Sequence, residues 1–202
     1  SFAASGQIKS EIIALKIGCG TTAIGIKEAN SPAVNLFGFP FDSGNTFAGD
    51  GIEFGLTKKL NSKIFIDLAF ASFSGGERRL KVNSYEYFYK LKGFQIPLTA
   101  NYLIRKEERK FRFPLSLGLQ YLHASLNTKD KYIDQNNNLA EHQRPEINIS
   151  EGSIIFGGGL EYRIIPDLFA SFTVKAAVST SGRYSDRPSL SLRYSFSRNQ
   201  RN

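Results

Sequence analysis

The sequence predicts an all-β chain of eight antiparallel strands, joined in chain order and closed into an up-and-down transmembrane β-barrel. Three observations predict it. Apolar residues recur at every second position in eight segments, the signature of a strand with two unlike faces. Each segment has close to the roughly nine to eleven residues that a tilted membrane strand needs. The connections between them alternate short and long.

Taken in order, "IALKIGCGTT" sets Ile13, Leu15, Ile17 and Cys19 against Ala14, Lys16, Gly18 and Gly20. "GIEFGLTK" opposes Ile52, Phe54 and Leu56 to Glu53, Gly55 and Thr57. In "KIFIDLAFAS", Ile64, Ile66, Leu68 and Phe70 face away from Asp67, Ala69 and Ala71, with Phe65 off the pattern. "GFQIPLTANYLIR" separates Phe94, Ile96, Leu98, Ala100, Tyr102 and Ile104 from Gln95, Pro97, Thr99 and Asn101. The fifth segment is the most regular: Phe113, Leu115, Leu117, Leu119 and Tyr121 alternate with Arg112, Pro114, Ser116, Gly118 and Gln120. "IIFGGGLEYRII" divides Ile154, Phe156, Leu160, Tyr162 and Ile164 from Gly157, Gly159, Glu161 and Arg163. "LFASFTVKAAVS" follows suit apart from Phe169, and "PSLSLRYSFSR" opposes Leu190, Leu192, Tyr194 and Phe196 to a row of serines and Arg193. Phe and Tyr, 17 and 9 in number, are at home on a pleated surface.

The short connections are "KKLNSK", "RKEERK" and "IPD"; the long ones are residues 26 to 49, 75 to 89, 126 to 152 and, shorter, 180 to 187. Short turns at one end of a meander and long loops at the other give the asymmetry of an outer-membrane barrel. The barrel domain is expected over residues 11–198, with tails at 1–10 and 199–202.

Alternation alone does not say which face meets water. A soluble lipocalin-like ligand carrier hides its apolar face and a membrane barrel displays it. Here the polar face is built of Gly, Ser, Ala and Thr with single charges among them: Lys16, Glu53, Asp67, Arg112, Glu161, Arg163, Lys175 and Arg193. A narrow lumen can hold small residues and a few opposite charges, whereas a solvated exterior carries a denser ionic coat. Aromatics near the strand ends fit girdles at two lipid boundaries. The membrane reading therefore takes precedence, with a lumen plugged by its own ion pairs rather than open as a pore.

The net charge of +8 points toward anionic partners such as lipopolysaccharide. Nucleic acid is not expected, since no basic run interleaves with stacking aromatics. Cys19 is the single cysteine, so no intrachain disulfide forms, and it reads as a small wall residue. His142 has no second His at ligand spacing, and no metal or cofactor is expected. No apolar run reaches the length of a transmembrane helix. "SFAASGQIKSE" reads as the start of a mature chain from which a signal peptide has been removed.

The run "LKGFQIPLTANYLIRKEERKFRFPLSLGLQYLHASL", with "GGGLEYRI" and "LSLRYSF", resembles the small outer-membrane β-barrels of Bacteroidota, the PorT-like and OmpA-type group. The resemblance covers most of the chain from about residue 50 onward. It implies a bacterial outer-membrane fold and, for some members, an accessory role in secretion or uptake machinery. A structural or accessory subunit of a larger outer-membrane complex is thus the first functional expectation.

Three stretches carry more specific expectations. "LHAS" is similar to the His-x-Ser pair of outer-membrane lipid A deacylases, which implies an alternative in which His123 would take the proton of Ser125. This chain departs from those enzymes by following Ser125 with Leu126 and Asn127, so an interfacial His and a strand-end Ser are the simpler reading. In "NLFGFPFDSGNTF", Phe37, Phe39 and Phe41 either fold over the barrel mouth or form a partner-binding surface. In "GERRLK", Arg78 and Arg79 would pair with lipopolysaccharide phosphates, or lie in a solvated loop.

Overall fold

A computed structural model describes residues 13–26, 46–75, 78–82, 85–104, 110–133 and 139–196. The described strands are β1 (Ile13–Gly25), β2 (Thr46–Lys59), β3 (Ile64–Ser74), β4 (Arg78–Val82), β5 (Tyr85–Leu103), β6 (Phe111–Arg112), β7 (Pro114–Ile133), β8 (Leu139–Gln143), β9 (Ile147–Ile165), β10 (Leu168–Ser179) and β11 (Tyr184–Phe196). Three of these extend others. β4 carries the line of β3 upward along β5, β6 begins the line of β7, and β8 carries the line of β9 along β7. Eight staves result, each antiparallel to the next, and β11 closes the circuit on β1 from Ile13↔Phe196 to Ile24↔Ser185.

Two of the three short turns are found, both at one end; residues 105–109 of the third, "RKEERK", lie outside the described residues. Between β2 and β3, the Asn61 side chain accepts from the amides of Lys63 and Ile64, which replaces the ladder bonds lost at the bend. Pro166 and Asp167 alone separate β9 from β10.

The other end differs from the sequence expectation. Residues 85–89, 126–133 and 147–152, read as parts of long links, are strand, as is the segment 78–82. β11 likewise begins at Tyr184, inside the expected link 180–187. Where their side chains are described in β5, β7 and β9, these segments alternate too, but with the polarity of the two faces exchanged, so a search for outward apolar residues passes over them. In β7 the outward row runs Leu115, Leu117, Leu119, Tyr121 and then His123, Ser125, Asn127, Lys129, while the inward row runs Ser116, Gly118, Gln120 and then Leu122, Ala124, Leu126. In β5 the exchange falls between Phe94 and Lys92 outside, and between Gln95 and Leu91 inside. The exchange marks where hydrocarbon ends and water begins.

Up to that level the outer wall is a continuous band of Ile, Leu, Val and Phe, with Leu117 and Leu119 each 63% exposed. Such a band, about 25 Å tall, is what a bilayer solvates. The soluble-carrier alternative is corrected here: the exposed aliphatic face is the outer one and the inner face is ionic. Aromatics border the band as expected. Phe111 packs on Tyr162 and Tyr194 on Phe196 at the short-turn side, while Phe70, Phe94 and Tyr121 form a ring cluster at the other.

Candidate lumen and extracellular site

The interior is filled in three layers, two inside the band and one above it. At the short-turn end, Glu161 pairs with Arg112 at 2.9 Å and with Arg193 at 3.2 Å. The Arg112 guanidinium lies 3.9 Å over the Phe169 ring, and that of Arg193 sits between Phe65 (4.8 Å) and Phe169 (4.9 Å). Phe65 and Phe169, the two aromatics that broke the sequence pattern, are therefore lumen residues whose ring faces receive guanidinium charge. A cavity of only about 20 Å³ remains beside them, lined by Phe65, Arg112 and Arg193 among others. That is room for about one water.

In the middle layer, Glu53 is bridged by Lys16 at 2.6 Å and by Arg187 at 3.3 Å, and Arg187 also donates to Thr22 Oγ1. Lys175 is buried on the same inner face. Asp67 accepts from Thr57 (2.6 Å) and from the Asn101 amide (3.1 Å), and hydroxyl pairs such as Ser171 with Ser191 fill the wall between charges. Gly157 belongs to this packing: a Cβ there would collide with the backbone of Val174 and Lys175 on β10. Buried charge in this lumen comprises five cations and three carboxylates; one of the two excess charges is at the short-turn end, where Arg112 and Arg193 share Glu161 and rest on the two phenyl rings, and the other is in the middle layer.

Of the expected ionic residues, Lys16, Glu53, Asp67, Arg112, Glu161, Lys175 and Arg193 are buried inward, and Arg163 is half-buried with its guanidinium 5.5 Å from the Phe169 ring. Arg187 was missed. The alternation of Ser189, Ser191 and Arg193 extends backward to it, but Arg187 falls in the expected link 180–187, just before the strand segment that begins at Pro188.

The third layer is apolar. Ile24, Ile26, Phe47, Phe73, Tyr89, Leu91, Leu122, Ala124, Leu126 and Ile149 form one cluster across the lumen, with Phe47 and Tyr89 edge to face. It begins where the outer wall turns polar, so the upper section has the inside-out order of a water-soluble protein. Gly93 lets it close, since a Cβ there would meet the β7 backbone at His123 and the Phe73 ring. This cap was also missed, although the exchange of faces in β7 carries its signal.

Above the cap stands a sheet in the order β4-β5-β7-β8, outside the barrel circuit, with the outer edges of β4 and β8 unpaired among the described strands. β8 is held to β7 by Arg144 to Asp130 at 2.7 Å, and by Lys129 and Lys131 to Glu141. The hydrogen bond from Lys131 and its charge, joined by that of Lys129, hold the Glu141 carboxyl below the usual glutamate range. Leu139 at the start of β8 is 74% exposed.

His123 and Ser125 lie within β7, not at its end, just above the Phe94 and Tyr121 rings. Different partners engage them. His123 Nδ1 shares a proton with Ser150 Oγ at 2.7 Å, and Ser125 donates to Glu146. No hydrogen bond joins His123 to Ser125 among the described residues, so this structure assembles no chain of Ser, His and acid from the pair. Arg79 stands opposite Phe88 in the β4 to β5 register and Arg78 opposite Tyr89. Phe37, Phe39 and Phe41 lie outside the described residues. Cys19 is exposed on the outer wall between Ile17 and the β11 residue Leu190.

No family model matches the sequence, and no curated protein matches it. Solved structures do. Ail, the attachment invasion locus protein of Yersinia pestis, aligns over 92% of this chain and 99% of its own at 13% identity and a TM-score of 0.52. Ail has also been solved in complex with the heparin analogue sucrose octasulfate, aligning at a TM-score of 0.50, 12% identity and the same coverage of both chains. Neisserial surface protein A aligns over 92% of this chain and 97% of its own at 12% identity and a TM-score of 0.55. A major outer-membrane protein of Thermus thermophilus aligns over 93% and 100% at 11% identity and 0.55.

The chain has the fold of a small outer-membrane barrel. That fold and the apolar belt together place it in a bacterial outer membrane, with the short turns toward the periplasm and the β4-β5-β7-β8 sheet outside the cell.

Proposed function

We propose that this chain is a non-enzymatic accessory subunit of a larger outer-membrane assembly, docking through the sheet it raises above the membrane. The single observation behind this reading is the contrast between a filled lumen, which offers no route for solute, and a projecting sheet whose two edges are unpaired among the described strands, which a neighbour can extend by strand addition. The phrases shared with the PorT-like barrels of Bacteroidota favour the same role, and Phe37, Phe39 and Phe41 would add aromatic anchors from the link before β2. The outer rim of the barrel also meets the anionic lipid of the outer leaflet, with Arg78 and Arg79 as one pair of contacts. That Ail was solved with a sulfated sugar supports the idea that a barrel of this fold can hold an anionic saccharide.

Two measurements test the docking reading. In planar bilayers the purified chain should give no steady porin-sized conductance. A photo-crosslinking residue at Leu139, on the free edge of β8, should give one discrete stoichiometric protein adduct in native membranes, while the same residue at Leu119, in the lipid belt, gives none. Open-channel currents, or absence of an adduct at 139, would remove the accessory-subunit reading.

A further inference from the structure

The outward rows just above the Phe70, Phe94 and Tyr121 cluster hold a group of residues that neither the lumen nor the docking edges use. The paired strands place Ser74, Lys92, Ser125 and Asn148 in one row and Lys90 and Asn127 in the next. Lys90 and Lys92 are both exposed, with Tyr89 and Leu91 between and beside them turned inward. Among the described residues neither lysine makes an ion pair or hydrogen bond, in contrast to Lys129 and Lys131 higher on the sheet, which share Glu141. Glu146 accepts from Ser125, the residue opposite Lys92, so its single carboxylate lies beside this group and, among the described residues, leaves one of the two lysine charges in excess.

The opposite side of the barrel is unlike this. There the outward residues at the boundary are Asp50, which accepts from Thr21, and Asp186. Among the described residues, excess positive charge at the lipid boundary thus lies on the β3-β5-β7-β9 side.

We infer that Lys90 and Lys92, in their bed of Ser74, Asn127 and Asn148, bind the phosphorylated sugar head of an outer-leaflet glycolipid whose acyl chains lie on the wall below. Three features select that occupant. Residues two apart on one strand face stand about 7 Å apart, which sets two cations to meet two anionic groups or two oxygens of one phosphate. Hydroxyl and amide groups around them suit sugar hydroxyls, which a simple phospholipid head does not supply. Phe94, one step below Lys92 on the same face, begins the apolar wall, so head and chains meet their partners at the right depth. This inference deepens the lipid half of the proposed function and is independent of any protein partner.

The test uses the full chain in a mild detergent, with native mass spectrometry counting retained lipid. The probes are bisphosphorylated hexa-acyl lipid A, its dephosphorylated form, phosphatidylglycerol and free inorganic phosphate. The wild type should retain bisphosphorylated lipid A ~10-fold better than the dephosphorylated form, as the loss of one or two charge-assisted contacts implies. K90E/K92E, and the milder K90Q/K92Q, should lose that preference, while K129E/K131E keeps it. Heat-modifiable gel migration reports that each variant is folded. If the wild type retains lipid A and K90E/K92E retains it equally, these lysines are not the site although the lipid reading survives. If the wild type shows no preference at all, both fall. Equal retention of phosphatidylglycerol, or displacement by millimolar inorganic phosphate, would reduce the patch to a general anion surface and overturn the glycolipid assignment.

Discussion

Below the Phe70, Phe94 and Tyr121 cluster, β5 and β7 are polar within and aliphatic without, and face lumen charges carried by the other strands; above it, the same two strands are largely aliphatic within and polar or charged without. One continuous hydrogen-bonded ladder, from Leu103↔Pro114 to Tyr85↔Tyr132, runs through both regions. Backbone pairing is therefore indifferent to the solvent, and the side chains alone record it. The comparison teaches that each region buries what its surroundings reject: charge where the surroundings are hydrocarbon, hydrocarbon where they are water. The two interiors differ in what holds them. The lower one depends on directional ion pairs that must be complete, and the upper one on non-directional contact.

The largest expected effect comes from breaking the lower interior. Glu161 serves two guanidiniums, so Glu161→Leu leaves Arg112 and Arg193 buried without their carboxylate. Removing one member of a buried charge group costs about 3–5 kcal/mol. Urea unfolding in detergent micelles should show a loss of that order; a loss below about 1 kcal/mol would mean that the Phe65 and Phe169 faces alone suffice to hold the two cations.

A substitution on the outer face sharpens the comparison directly. Leu119 pairs with Leu98 in the middle of the outward run between Tyr102 and Phe94, so Leu119→Arg puts a charge near the bilayer midplane at a cost of about 2–4 kcal/mol. Asn127→Arg, eight residues along the same strand and on the same face, should change stability by less than about 0.5 kcal/mol, because that row already faces water. Equal penalties at the two positions, measured in lipid vesicles, would show that the belt does not end between them.

The same exchange explains what the sequence disclosed and what it withheld. The eight staves, their order and seven buried ionic residues follow from alternation, because a membrane strand must show an unbroken aliphatic row to lipid. Arg187, the Phe65 and Phe169 faces and the apolar cap did not follow. Phe65 and Phe169 break the simple division of faces because an aromatic ring can stand as a polar partner for guanidinium, a role that hydropathy does not score. Leu126 falls in the expected link 126–152, and Leu91, Leu122 and Ala124 lie at the margins of the expected strands, where outward Lys90, Lys92 and His123 hide the apolar inward row until the faces are taken separately. The partners of His123 and Ser125 could not be read at all, since Ser150 and Glu146 reach them only through the β7 to β9 register.

The smallest expected effect belongs to the upper section and is set by pH. Lys131, through its hydrogen bond and then its charge, and Lys129 hold the folded Glu141 carboxyl below its ordinary value. A carboxylate with a depressed folded value contributes stability that is fully present above the unfolded value, about 4.3, and is lost as pH falls through the folded one. The side chain is open to solvent, so the contribution is small and screened by salt. Hydrogen exchange, corrected for intrinsic rates, should therefore show the amides of β8 losing protection below about pH 4 and, at neutral pH, on raising the salt to about 1 M. The amides of β9 from Ile154 to Gly158, laddered on both sides inside the belt, should not respond to salt. If β8 keeps its full protection at low pH, the bond from Arg144 to Asp130 holds the hairpin unaided, and the contrast between the two sections rests on their cores rather than on their surface charge.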